Sequence, residues 1–342
     1  MNVLDFIRPD LLDLKPYSSA RDEYTGKEGV FLDANENPFE TGINRYPDPF
    51  QKELKEKISA LKMVSAGQLF LGNGSDECID LLFRLFCISG KDKVVAISPS
   101  YGMYNVSAKI NHIEMIDVLL NDDFSLDIST ISKVASDAKM IFLCSPNNPT
   151  GNAFPKEDLI SILQLNSCLV VVDEAYIDFS KEGSMLSELN NYPNLIVLQT
   201  FSKAYGLAGL RLGMLFASKE IVEWMNKVKP PYNINQLTQN EALKRLGNVD
   251  LIKDQIQYLI SERERIAKEF ESYSIIDKIY PSDSNFILIK VKDSDKVYNY
   301  LVYNKVIVRN RASQSLCENC IRITIGTKEE NDILLEKIKE LC

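Results

Sequence analysis

A lysine and an arginine stand eight positions apart in Thr200-Phe201-Ser202-Lys203-Ala204-Tyr205-Gly206-Leu207-Ala208-Gly209-Leu210-Arg211, a segment otherwise made of small and apolar residues. It follows Leu195 to Leu198, an apolar run that reads as a buried strand. An ammonium ion is costly to bury. Proteins accept that cost when the amine must act as a nucleophile, typically as a Schiff-base lysine. The segment alone fits a solvated loop lysine somewhat better, so the decision rests on what gathers around it.

Strands and helices alternate along the first two-thirds of the chain. Leu69–Leu71, Lys93–Ile97, Met115–Leu119, Met140–Cys144, Leu169–Val172, Leu195–Leu198 and Gly213–Ala217 read as strands, most of them continuously apolar. That pattern predicts a mostly parallel sheet covered on both faces. In such sheets functional residues collect at the C-terminal strand ends. Ser145-Pro146-Asn147-Asn148-Pro149-Thr150-Gly151, Asp173-Glu174-Ala175-Tyr176 and Ser202-Lys203 each follow a strand directly. Gly72-Asn73-Gly74-Ser75-Asp76-Glu77 lies between a strand and the apolar helix Ile79–Cys87. Its glycines permit a sharp turn, Ser75 or Asp76 can cap the helix, and the free N–H groups offer a phosphate cradle. Glu77 stands where a dinucleotide fingerprint needs its third glycine, and no G-x-x-x-x-G-K-[ST] loop occurs.

Upstream, residues 1–28 read as an extended arm and Val30–Leu32 as a short strand, with a helix from Pro49 to Leu61. Pro230-Pro231 divides a large domain, 29–234, from a smaller C-terminal α+β domain, 235–342. The smaller domain reads as helices Asn235–Leu246, Asp250–Tyr273, Asp293–Tyr303 and Lys328–Leu341, with strands Asn285–Val291, Val306–Val308 and Ile321–Ile325.

Composition removes other chemistries. At 342 residues and 45% apolar content the chain can bury a large core. A net charge of −9 argues against nucleic acid or an anionic membrane as partner. No run is long enough to span a bilayer, and the opening residues lack a secretion signal, so a cytoplasmic location is expected. His112 is the single histidine, and no G-x-S-x-G elbow accompanies it, which argues against a Ser-His-Asp triad. Cys317-x-x-Cys320 is one close pair without a second; it reads as reduced thiols, and no metal is expected.

An asparagine, a carboxylate followed by a tyrosine, and then lysine and arginine at successive strand ends are what a pyridoxal phosphate site requires. The three ordered motifs resemble the signatures of the fold-type I aminotransferases. The resemblance is strongest to the histidinol-phosphate group of that family. It rests on Lys15-Pro16-Tyr17 with Ala20-Arg21, Asn35-Glu36-Asn37-Pro38, Asn44-Arg45-Tyr46-Pro47, Gly74-Ser75-Asp76-Glu77, Tyr101-Gly102-Met103-Tyr104, Val308-Arg309 and Ile321-Arg322-Ile323-Thr324-Ile325-Gly326-Thr327. It implies an α/β fold with a seven-stranded, mostly parallel sheet, Gly213–Ala217 being the antiparallel exception.

The resemblance also implies roles. Lys203 forms the Schiff base with the cofactor and then moves the proton. Asp173 pairs with the pyridine N–H, Asn148 and Tyr176 bond the phenolate oxygen, and Tyr101 stacks on the ring. Gly74, Ser75, Asp76, Ser202 and Arg211 hold the phosphate, and Tyr46 reaches the phosphate of a neighbouring subunit's cofactor in a homodimer with shared active sites. Tyr17, Asn37, Arg309 and Arg322 recognise substrate, with Arg311 a close competitor of Arg309. The Asn148–Pro149 bond is expected to be cis. The implied reaction moves an amino group between L-histidinol phosphate and 2-oxoglutarate, yielding glutamate. Aromatic amino-acid transamination and threonine-phosphate decarboxylation remain open beside it. An effector-sensing module of a transcription regulator needs a DNA-binding domain, for which residues 1–28 are too short.

Overall fold

The structure, a computed structural model, describes residues 3–17, 29–165 and 167–342. Ala20-Arg21 and much of the arm over residues 1–28 lie outside the described residues. The large sheet holds β1 (Leu69–Asn73), β2 (Lys93–Ser98), β3 (Glu114–Leu119), β4 (Met140–Cys144), β5 (Leu169–Asp173), β6 (Leu195–Thr200) and β7 (Leu212–Phe216). They lie side by side as β1-β7-β6-β5-β4-β2-β3. β7 is antiparallel to both β1 and β6, and the other neighbours are parallel, as the sequence patterning and the resemblance together required.

The strands are apolar on both faces because both faces are covered. Val170 and Val172 of β5 enter one core cluster, while Leu169 and Val171 enter the other. The covering helices include α1 (Lys52–Lys62), α2 (Ser75–Phe86), α3 (Met103–Ile110), α4 (Ile128–Val134), α5 (Lys156–Leu165) and α6 (Lys219–Val228). α2 buries Cys78, Ile79, Leu82, Phe83 and Phe86, a stripe at three- and four-residue spacing, against β1 and β7.

α7 (Gln236–Leu246) packs on α1, and its Ala242 and Leu246 belong to a core cluster of the large sheet. α8 (Val249–Phe270) starts in that cluster with Ile252 and ends in the core of the small sheet with Ile266 and Phe270. The small sheet is antiparallel, β10-β11-β9-β8, from β8 (Ile276–Ile279), β9 (Phe286–Val291), β10 (Arg309–Asn310) and β11 (Cys320–Thr324). α9 (Ser294–Tyr303) and α10 (Lys328–Lys339) pack over it.

Several local expectations are corrected. Val30 and Leu32 form no strand and are each 87% exposed, because among the described residues no neighbouring strand pairs with them. Within the expected arm, Val3–Asp5 and Pro9–Leu11 are 3-10 turns, and Val3 and Ile7 are buried beside α2. Val306–Val308 precedes rather than forms β10, and β8 was not anticipated because Ile276–Ile279 is short and half polar. The Asn148–Pro149 bond is cis, as are Ser98–Pro99 and Ser145–Pro146. All seven cysteines are free thiols, and among the described residues no cluster could hold a metal.

Candidate active site

β4, β5 and β6 end at one edge of the sheet, at Cys144, Asp173 and Thr200, and β1 ends there at Asn73. β7 runs the other way, so its beginning, Leu212, and the preceding Arg211 arrive at the same edge. A cavity of about 130 Å³ at this edge is lined by Ser75, Asp76, Tyr101, Asn148, Asp173, Tyr176, Ser202, Lys203 and Arg211, with Cys144, Ala175, Thr200 and Ala208 between them. A larger hollow of about 400 Å³ elsewhere contains none of these residues and belongs to the Tyr46 region.

Asp173 sits at the floor, 2% exposed. Tyr104 donates its hydroxyl to Oδ2 at 2.7 Å, and the Ala175 N–H donates to Oδ1 at 3.1 Å. Burial pushes the carboxyl up to about 6, with the Tyr104 and Ala175 donors pulling the other way. Burial also lowers the Lys203 ammonium below its ordinary value, and the cation Arg322 adds to that. Lys203 Nζ lies 5.5 Å from the centre of the Tyr176 ring. Buried cation and raised carboxyl thus share one small space, where a neutral amine is easier to hold than in water.

Asn148 Nδ2 points at the Tyr176 hydroxyl across 3.5 Å, the outer limit of a hydrogen bond. Its Oδ1 accepts from Arg322 Nη1. Arg322 arrives from β11, with its guanidinium 5.1 Å above the Phe286 ring and its Nε buried without a partner. Burial raises the Tyr176 phenol, so the hydroxyl remains a donor at neutral pH.

The third wall is the start of α2. Gly74 precedes it with φ 78, and no side chain caps it, contrary to the expected cap from Ser75 or Asp76. Ser75 is instead the first helical residue, so the first-turn N–H groups have no intrahelical partner. Asp76 accepts from the Tyr101 hydroxyl at 2.9 Å and from Arg211 Nη2 at 3.4 Å. A Cβ on Gly74 would lie 2.7 Å from Arg211 Nη2, so only glycine admits the guanidinium so close. Arg211 itself has φ 53, a left-handed conformation uncommon outside glycine and found at functional sites. Thr200 Oγ1 lies 3.0 Å from Ser202 Oγ and accepts from Ser202 N–H at 3.1 Å, which holds that serine beside Lys203.

Other candidate residues lie apart. Arg309 is exposed and opposes Arg322 across β10 and β11. Tyr46 is 51% exposed and stacks on Tyr232 at 4.4 Å. Tyr17 is 70% exposed, beside Phe50 and Tyr232. Asn37 is exposed and accepts from Phe39 N–H at 3.0 Å. Two residues beyond the candidate set stand close to it. Tyr104, three positions after Tyr101 on α3, touches Asp173. Arg311 is half-buried with Nε unpartnered, and burial, Arg322 and Arg309 bring it down to about 10.

A family model described as aminotransferase class I and II matches residues 31–338. The histidinol-phosphate aminotransferase of Christiangramia forsetii is 54% identical over 343 residues, 99% of this chain and 98% of that protein. Among solved structures, the histidinol-phosphate aminotransferase of Clostridium acetobutylicum is similar at TM-score 0.81 and 25% identity, covering 88% of this chain and 91% of that one. The fold is shared with the histidinol-phosphate aminotransferase of Sinorhizobium meliloti solved with pyridoxal-5'-phosphate, at TM-score 0.79 and 23% identity over 87% and 84% of the two chains.

Proposed function

The chain belongs to the class I and II aminotransferase family, and from that premise we propose that it transfers the amino group of L-histidinol phosphate to 2-oxoglutarate. The products are 3-(imidazol-4-yl)-2-oxopropyl phosphate and L-glutamate, a step of histidine biosynthesis. The observation that carries this reading is the convergence of Lys203, buried Asp173 and the uncapped start of α2 in one cavity.

These residues fit pyridoxal phosphate. The uncapped N–H groups of α2 and the glycine-admitted Arg211 suit its phosphate, and a fully buried carboxylate held by Tyr104 and the Ala175 N–H suits its ring nitrogen. When bound, the cofactor supplies an aldehyde that takes up amines and a ring that draws electron density from the neighbouring carbon. Ser75, Asp76, Ser202 and Arg211 would hold the phosphate. Asp173 would accept the ring N–H, Asn148 and Tyr176 would donate to the ring oxygen, and Tyr101 would cover a ring face. Lys203 Nζ, made less basic by burial, would serve as the nucleophile and as the base that takes up and returns the substrate proton.

Arg322, Arg309, Tyr17 and Asn37 would recognise substrate. Histidinol phosphate brings a phosphate where glutamate brings carboxylates, and guanidinium groups can bind both anions in turn. The orphaned Nε of Arg322 is a donor still available for that purpose.

The enzyme works as a homodimer with shared active sites, in the cytoplasm. Val30, Leu32 and Phe39 are 78–87% exposed, an apolar surface next to Tyr46 in sequence that a second copy would cover. Sedimentation at micromolar concentration should give a dimer; a monomer would contradict the shared site.

The deciding experiment supplies L-histidinol phosphate and 2-oxoglutarate and follows glutamate. Phenylalanine and threonine phosphate are run in parallel, carbon dioxide release marking decarboxylation. Faster turnover of either would overturn the substrate assignment.

A further inference from the structure

The Tyr104 hydroxyl is not used by any role assigned above. Tyr104 is 1% exposed, stacks on Phe142 at 4.9 Å and meets Tyr101 edge-on at 5.6 Å. Phenylalanine would fill that volume and make the same stack, so packing does not explain the oxygen. The oxygen instead lies 2.7 Å from Asp173 Oδ2. We propose that Tyr104 is a positioning residue for amino transfer: with the Ala175 N–H on Oδ1, its hydroxyl on Oδ2 fixes the Asp173 carboxylate in the orientation that receives the cofactor's ring N–H.

The donor count supports this. A carboxylate offers about four lone-pair positions, and the protein fills one on each oxygen, leaving capacity for a further donor. A carboxyl group turns freely about its bond to Cβ, so an unanchored one would meet the ring nitrogen in many orientations. Two donors from different elements, α3 and the segment after β5, remove that freedom. The Tyr104 hydroxyl is also the strongest influence favouring the ionised carboxylate against burial. Asp76 and Cys78 on α2, Tyr101, Cys144 on β4, Tyr176 and Lys203 after β6 are the other titratable groups nearby; none of them hydrogen-bonds the Asp173 carboxylate, and the Cys144 thiol meets the Tyr104 hydroxyl instead.

This inference rests on Asp173 being the partner of the ring nitrogen, so the test is a cycle in the full-length enzyme. Pyridoxal phosphate affinity is measured by absorbance titration from pH 5.5 to 8.5 for wild type, Tyr104→Phe, Asp173→Asn and the double variant, with thermal unfolding as the fold check. Loss of a hydrogen bond to a charged group predicts affinity about tenfold weaker in Tyr104→Phe at pH 8. The loss should grow toward pH 6, where the carboxyl lacking its donor takes up a proton more readily. In the Asp173→Asn background the same change should alter affinity by less than about twofold. Equal losses in both backgrounds, no loss in wild type, or a Tyr104→Phe protein that cannot fold would each overturn the positioning role in favour of a structural one. An Asp173→Asn enzyme with unchanged affinity and absorbance would overturn the ring-nitrogen assignment as well. Weakened Asp173→Asn with unaffected Tyr104→Phe would overturn this inference alone.

Discussion

Gly213→Ala tests the phosphate cradle from behind. Gly213 lies on β7 opposite Gly72 of β1, directly beneath the turn into α2. A methyl group there would sit 2.2 Å from Ser75 N, 2.3 Å from Gly74 C and 2.7 Å from Gly74 O. Ordinary contact begins near 3.4 Å, so the turn must retreat by about 1 Å. The obstacle is backbone, which cannot swing aside as a side chain would. Overpacking of this kind costs up to about 3 kcal/mol. The displaced atoms include the N–H groups proposed to hold the phosphate, and misaligning one charge-assisted bond costs about 1.5–3 kcal/mol, or roughly 10–100-fold in affinity. Gly209→Ala is the control, since nothing lies within 4 Å of its added methyl. Pyridoxal phosphate titration and thermal unfolding should show Gly213→Ala impaired in both and Gly209→Ala in neither. If Gly213→Ala unfolds earlier yet binds the cofactor as the control does, the cradle is not where the phosphate sits.

Lys203→Ala should abolish transamination and the visible absorbance of the lysine-bound cofactor; turnover with a normal spectrum would refute the central role of that amine. Arg322→Gln should raise KM for both 2-oxoglutarate and histidinol phosphate by about 10-fold or more, since one guanidinium meets either anion. An unchanged KM for 2-oxoglutarate would remove Arg322 from anion recognition. Asp173→Asn should stabilise the cofactor-free protein at neutral pH. The folded carboxyl titrates at about 6 against an unfolded value near 3.9, so the native state binds more protons in between and loses stability as pH rises through that window. By pH 7 the buried charge costs about 2–3 kcal/mol, which the amide avoids and which vanishes near pH 4. Urea unfolding at pH 4, 5, 6 and 7 measures the difference; equal stability at pH 7 would contradict the burial cost.

Much of the large sheet was legible because its strands are continuous apolar runs, and a run that is buried on both faces needs no distant information to be recognised. All seven of its strands appear within a residue or two of where those runs lie. Asn148, Asp173, Tyr176, Ser202 and Lys203 were legible for the same reason, since each follows such a strand and strand ends in a parallel sheet share one edge. Val30–Leu32 misled because an apolar alternation signals a strand only when a partner strand is available, and the described residues supply none. β8 was missed because half its residues face water.

Sequence by itself therefore determined the elements, their order and the residue types presented at their ends, all properties of short stretches of chain. Only the tertiary structure decided which distant groups meet. Arg211 reaches the cavity because β7 runs antiparallel to β6, Tyr104 finds Asp173 across 69 positions, and Arg322 finds Asn148 across 174. The physical reason is that hydrophobic periodicity is written residue by residue, whereas a hydrogen bond of 2.7 Å between remote side chains depends on how whole layers pack. Tyr46 and Tyr17 stay at the surface of the chain, 51% and 70% exposed, with Tyr46 stacked on Tyr232.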